Sequence, residues 1–254
     1  MHWDFALILI VFAAAVPLLG LRRIRHLMRL PETSKRNRLA LYASTVAFQW
    51  FAFAVILWRV QAHRIPLVDL GLALPRPGLT AIVTILLSVF VLAYQLATLR
   101  MISTHPELVR GMLPQIALKI FPQDSTERGA FFAVVVTVAI CEEWIYRGFA
   151  QRVFEDSSGG MIWAGIAGSA VLFALAHLYQ GARGVFTTLI VGVLFSIVRA
   201  WTGSLLAPLV AHFITDIVAG FLAPPRFRKA LAVNVGQTGR SGPDVSSVNY
   251  NNSI

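Results

Sequence analysis

Charge is scarce in this sequence. Only 13% of its 254 residues are Asp, Glu, Lys or Arg, about half the share usual in soluble domains. With 57% hydrophobic residues and a mean hydropathy of +0.69, the chain falls in the integral membrane class. Cysteine is almost absent too. A single residue, Cys141, excludes an intrachain disulfide and leaves the redox compartment unspecified. Several motifs are missing: H-E-x-x-H, C-x-x-C pairs, G-x-S-x-G and any phosphate-binding glycine loop. Their absence removes the commonest zinc-protease, thiol-redox, serine-hydrolase and nucleotide-binding readings. No internal repeat is visible. The few charges lean one way, to a net +10. No basic stripe with interleaved aromatics accompanies them, so nucleic acid is not an expected partner. Basic loops facing an anionic lipid leaflet account for the excess.

Long apolar runs are what the sequence does have. A spanning helix needs about 20 mostly apolar residues. Seven stretches qualify or come close: residues 5–21, 39–58, 79–99, 129–149, 161–178, 185–198 and 205–222. The sixth is the shortest. The first lacks a basic leader and a small-residue cleavage site, and reads as a retained anchor. The expected fold is an all-α, polytopic membrane helix bundle of about seven transmembrane helices plus one interfacial helix. Residues 1–100 form a three-helix scaffold, 101–223 a catalytic helical core, and 224–254 a polar, disordered cytoplasmic tail. Lys and Arg number sixteen on one side of the alternating loops and five on the other. The positive-inside rule then places the N-terminus outside and the C-terminus in the cytoplasm. In the third loop Leu108, Met112, Ile116 and Ile120, with Val109, Leu113 and Ala117, form one apolar face opposite Glu107, Arg110, Gln115 and Lys119. This predicts a helix bent at Pro114, lying in the interface or packed on the protein.

Ionisable residues inside apolar spans are costly, and so are functional candidates by default. Here they are Glu142, Glu143 and Arg147 in the fourth span, His177 in the fifth, and His212 and Asp216 in the seventh. The first three spans hold only uncharged polar groups inside, such as Gln49 and Gln95, which casts them as scaffold. Glu143 and Arg147 stand at i and i+4 and predict an ion pair. Glu142, about 100° further round, faces elsewhere. His212 and Asp216 are also i and i+4, so the carboxylate can fix the imidazole tautomer. Phe173 and His177 share a face, ring beside ring. Trp144 and Tyr146 read as interface aromatics. A carboxylate and an imidazole on facing helices can polarise a water, and a second imidazole can stabilise an oxyanion. Two His and one Glu could also hold zinc with an open fourth position. Depth is a difficulty. Helix rise puts Glu142 about 20 Å along from Gly129 and His177 near the opposite end of its span, more than about 10 Å apart in depth. Convergence needs longer or shifted spans.

The stretches "EEWIYRG", "FALAH" and "TGSLLAPLVAHFITD" resemble successive motifs of the CPBP (Abi) family, which holds type II CAAX prenyl endopeptidases and bacteriocin-processing or immunity proteins. The resemblance covers roughly residues 114–223. It implies a multi-helix intramembrane endopeptidase. Glu142 matches the catalytic glutamate, His177 its partner in activating water, and His212 the oxyanion histidine. Asp216 matches a position where prenyl endopeptidases carry Asn and other members Asp. Glu143, Arg147 and Phe173 are supporting residues. The family has been described both as metal-dependent and as glutamate-dependent without metal. The second is expected, with no cofactor. In the first, a divalent cation such as zinc would sit on Glu142, His177 and His212. The expected substrate is a membrane-associated, prenylated or CAAX-like peptide or protein. A transporter or proton relay would use the same buried groups but lacks an inverted-repeat signal, and an idle immunity or scaffold member would not need the full motif set.

Overall fold

The computed structural model describes residues 2–109 and 112–240. No strand occurs among the described residues. In chain order the helices are α1 (Trp3–Arg29), α2 (Lys35–Ala62), α3 (Pro77–Thr104), α4 (Met112–Ile120), α5 (Ser125–Ser157), α6 (Ile162–Ala176), α7 (Gly181–Thr202) and α8 (206–240, its apolar span Leu206–Val233). Six of them, all but α4 and α6, are long and apolar enough to cross a membrane, counting the short turn before α7. The protein is a multi-pass membrane helix bundle.

Local chemistry sets the ends. The Ser34 hydroxyl caps α2 by accepting the Asn37 N–H at 3.2 Å. The Asp124 carboxylate caps α5 by accepting the Glu127 N–H at 2.9 Å. Lys35 pairs with the same Asp124 at 2.7 Å and holds its carboxyl below the usual range. Pro77 opens α3, where its missing N–H costs nothing. Gly203, at φ 71°, closes α7 in the left-handed conformation that favours glycine.

Side-chain pairings give the helix directions. Asp4 at the start of α1 meets Arg59 and His63 at the end of α2, so these two run antiparallel. Arg38 meets Glu127 and Gln49 meets Glu142, so α2 runs parallel to α5. Val83 and Leu87 share a cluster with Ala207 and Ala211, and Leu99 and Ile102 another with Val218 and Ala223, so α3 runs parallel to α8. The α6–α7 hairpin is antiparallel, with Gly192 against Ala170 so closely that a Cβ would lie 3.1 Å from its Cα. Lipid-facing and inward surfaces divide accordingly. In α3 only 17% of the apolar window is buried, and Ile85, Leu86 and Phe90 are exposed. In α5 the share is 50%, and every residue from Glu143 to Val153 except Arg152 is buried. α5 is therefore the central rod.

Four expectations change. The short apolar helix is the fifth, α6 with 15 residues, while the sixth extends to 22. The helix in the third loop forms over Met112–Ile120, with Pro114 in its first turn and not at a bend. Ile116 packs on Ile24 and Leu27, and the Lys119 ammonium donates to the Leu27 carbonyl at 3.1 Å, so α4 is held by protein. The last helix does not stop at residue 223. It continues over Ala223–Arg240, because a π turn at Val218–Leu222 restarts it and leaves Pro224 and Pro225 in a first turn. Arg110 and residues 241–254 lie outside the described residues. Finally, Trp144 and Tyr146 are core residues, 1% and 2% exposed, because the second half of α5 is surrounded by protein.

The Arg38–Glu127 pair ties α2 to α5. Its guanidinium donates to Glu127 from Nε and Nη2 at 3.0 and 2.8 Å, and to the Thr33 carbonyl. Glu127→Ala should cost about 3 kcal/mol by stranding a buried cation. Thermal unfolding in detergent should show that loss, and Arg38→Met with Glu127→Leu should recover most of it.

Candidate active site

Three local features bring the motif residues to one depth. First, α5 begins at Ser125, so Glu142 is its eighteenth residue of 33 and sits at mid-span. Second, α6 is only about 22 Å long at 1.5 Å per residue, so it ends at Ala176 before crossing fully. His177 caps it, followed by a 3-10 turn over Leu178–Gln180. Tyr179 in that turn packs beside Gly20, where a Cβ would lie 3.7 Å from its ring. That level is about 13 Å short of the end of α1 at Arg29. Irregular backbone at this depth is tolerated because protein surrounds it. These two facts dissolve the depth mismatch expected from the sequence. Third, Thr202–Leu205 makes the turn that starts α8. The Ser204 N–H donates to the Thr202 hydroxyl, the Leu206 N–H to the Ser204 hydroxyl, and the Leu205 N–H to the Gly71 carbonyl at 2.9 Å.

The helix changes form where the chemistry lies. From Glu143 to Ala150 α5 is π-helical, a departure that often marks functional positions. Glu143 Oε1 accepts from Arg147 Nη1 at 2.8 Å and from His212 Nδ1 at 2.8 Å. The side chains of Glu143 and Arg147 are wholly buried. The Arg147 guanidinium also lies 4.0 Å over the Phe173 ring centroid and 5.4 Å from that of Phe195, a cation–π geometry worth about 2 kcal/mol when desolvated.

A carboxylate only accepts, so Nδ1 of His212 carries the hydrogen given to Glu143. Nε2 then faces the two remaining carboxylates, Asp216 Oδ2 at 3.6 Å and Glu142 Oε2 at 3.9 Å. Glu142 Oε1 accepts from the Gln49 amide at 2.9 Å, while Oε2 is buried with no hydrogen-bond partner among the described residues. Two expectations are corrected by this arrangement. Glu142 does not face away from Glu143: both reach the same imidazole, at opposite nitrogens, because the ring is wide enough to stand between them. The group that orients His212 is Glu143 at 2.8 Å, not Asp216 at 3.6 Å. Gln49 is the residue whose role the sequence hid. It was visible as a polar group in an apolar span, but nothing in the sequence says that α2 lies beside Glu142.

His177 is placed differently. Its Nδ1–H donates to the Phe173 carbonyl at 2.8 Å, one of the carbonyls left free at the end of α6. Nε2 is therefore the ring's acceptor. The His177 ring packs 4.6 Å from Phe173, whose other ring neighbours include Tyr146 at 5.1 Å and His212 at 6.0 Å. Tyr179 flanks His177 at 5.9 Å. No hydrogen bond or ion pair joins His177 to Glu142 among the described residues, so Phe173 is the hub through which both imidazoles are positioned. The metal-ligand set of Glu142, His177 and His212 is likewise not assembled. Among the described residues no three His, Cys, Asp or Glu side chains stand as metal ligands would.

The fold and site together define a class: a multi-pass helical membrane protein with a cluster of ionisable side chains inside the bundle, Glu143, Arg147 and His212 buried and Glu142, His177 and Asp216 half-buried. Residues 125–218 match the family model described as type II CAAX prenyl endopeptidase Rce1-like. That segment is similar to the CAAX-type proteases of this description. The match runs from the start of α5 past Asp216, so it contains every motif residue but not Gln49. No curated protein and no solved structure matches the chain.

Glu143 neutralises one cation and aligns another ring, so its loss should be felt in the fold. Glu143→Gln should lower stability by about 3–5 kcal/mol, because Arg147 is left charged and buried. Adding Arg147→Met should restore part of it. Unfolding midpoints of the two single variants and the double variant would give the coupling.

Proposed function

We propose that this protein is an intramembrane endopeptidase that hydrolyses a peptide bond in a membrane-associated peptide or protein, with Glu142 as the base. The observation that carries this reading is the state of Glu142. One oxygen is held by Gln49, and the other is buried, lacks a hydrogen-bond partner and points toward His212 Nε2. A carboxylate kept in that condition inside a membrane bundle needs a functional reason.

In this scheme a water beside Glu142 Oε2 gives its proton to that oxygen as the water oxygen attacks the scissile carbonyl carbon. His177 orients the water through its acceptor Nε2. The carbonyl oxygen becomes an oxyanion facing Nε2–H of the His212 imidazolium, whose Nδ1–H remains on Glu143. Asp216, in its protonated form, donates to the same oxyanion. The C–N bond then breaks, Glu142 returns its proton to the leaving nitrogen, and an amine and a carboxylic acid are released, the acid losing its proton to water. Arg147 and Phe173 position the ring system without touching the reacting atoms. Water is activated by side chains alone, and no cofactor is required. The CAAX name of the family points to a prenylated or CAAX-like C-terminus as the substrate class.

Glu142→Ala should reduce cleavage by at least 10²-fold, the usual contribution of a positioned base, while the protein still accumulates in the membrane. Full cleavage by that variant would sink the assignment. Glu142→Gln should retain bound substrate, which mass spectrometry of the co-purified material would identify.

We also propose that the basic end of the bundle is cytoplasmic, with the N-terminus outside. In the sequence the loops on that side hold sixteen Lys and Arg against five on the other. The single native cysteine, Cys141, is buried, so cysteines introduced at Ser158 and Gln123 can be read separately. In intact cells an impermeant thiol reagent should label the first and spare the second; the reverse pattern would invert the topology.

A further inference from the structure

We propose that a pocket at the basic end of the bundle, between the start of α5 and the end of α8, binds the phosphodiester headgroup of an anionic phospholipid. The pocket has a volume of about 310 Å³ and is lined by Gln123, Arg128, Phe221, Pro224, Pro225 and Arg228 among others. It is separate from the Glu142–His212 cluster and shares no residue with it.

Three observations carry the proposal. The first is that Arg128 and Arg228 come from different helices and face one cavity, yet no hydrogen bond or ion pair engages either guanidinium among the described residues. The carboxylates that could neutralise them are already committed. Asp124 pairs with Lys35 and caps α5, and Glu127 holds Arg38 and accepts the Gln123 N–H at 2.7 Å. Two unpaired cations around one space suit a phosphate, whose oxygens accept from guanidinium forks.

The second is the apolar part of the lining, Phe221 with Pro224 and Pro225, beside the two arginines. Phe221 packs edge-on to Phe131 at 5.7 Å, and Phe131 in turn meets Phe121 and Tyr42. Gly220 makes that packing possible, since a Cβ there would lie 2.1 Å from the Phe131 ring. A soluble anion gains nothing from these apolar side chains, whereas the glycerol and first methylenes of a lipid would lie on them. The third is location. The pocket sits where α5 enters and α8 leaves the apolar layer, the level of lipid headgroups, and basic pockets between transmembrane helices at this level suit anionic lipids.

The test uses the full chain purified in a neutral detergent. Its unfolding midpoint is measured with added phosphatidylglycerol, with phosphatidylcholine of the same acyl chains, and with inorganic phosphate. Native mass spectrometry counts the bound lipid. Phosphatidylglycerol should raise the midpoint by roughly 2–4 °C, with neither other addition doing so, and one lipid should survive as a stoichiometric adduct. Arg128→Gln with Arg228→Gln should abolish both effects. Arg22→Gln with Arg36→Gln, the same charge change at exposed positions elsewhere on the basic end, should abolish neither. Should the double variant fail to fold, Arg228→Gln alone should weaken the adduct at least tenfold. Retention of the shift in the pocket variants, an equal loss in the control, or an equal shift with phosphatidylcholine would overturn the proposal. An equal shift with inorganic phosphate would overturn the lipid assignment.

Discussion

The Glu143 carboxylate is the constraint on which the rest of the structure depends. One of its oxygens receives hydrogen bonds from Arg147 on its own helix and from His212 on α8, each at 2.8 Å. Neither contact works alone in an apolar medium. A buried arginine without a counter-charge would cost several kcal/mol, and a buried imidazole without a fixed partner would have no defined tautomer. By serving both, Glu143 fixes α8 against α5, sets which nitrogen of His212 is presented, and holds the Arg147 guanidinium over Phe173. Phe173 then anchors His177 through ring packing and through its own carbonyl. The site is thus assembled outward from one oxygen.

The backbone adapts to let this happen. The π-helical run begins at Glu143, and a second π turn follows Asp216 by two residues. α6 stops early, so that His177 and Tyr179 stand inside the bundle and not at its end. Each departure from regular helix frees or displaces backbone groups, which is affordable at membrane depth only where protein lies on all sides. That is the condition of the second half of α5, buried almost without interruption. α3, the most lipid-facing helix, stays regular, while α1 carries a π turn of its own at Val11–Ala15.

The overall architecture was largely legible in the sequence because membrane thickness sets a length. Seven apolar stretches became seven apolar helices, six of spanning length, with alternating directions. Their ends were less legible. The extent of α7 and α8 depended on residues such as Thr202 and Pro224, whose polarity or ring would suggest a stop. The motif residues Glu142, Glu143, Arg147, His177, His212 and Asp216 were identifiable because charge in an apolar run is rare. The Glu143–Arg147 pair followed from i, i+4 spacing alone, and the helix between them preserved it even in π form.

What the sequence determined by itself was therefore local or compositional: a membrane protein, its spans, its family motifs, and which residues are too costly to be incidental. Only the tertiary structure decided which of them meet. That Glu143 and not Asp216 orients His212 and that Gln49 reaches from α2 to hold Glu142 both depend on contacts between helices. Spacing along one helix fixes a face, but a face has no partner until another helix packs against it. In this protein every decisive hydrogen bond of the site except Arg147 to Glu143 and His177 to Phe173 crosses that gap.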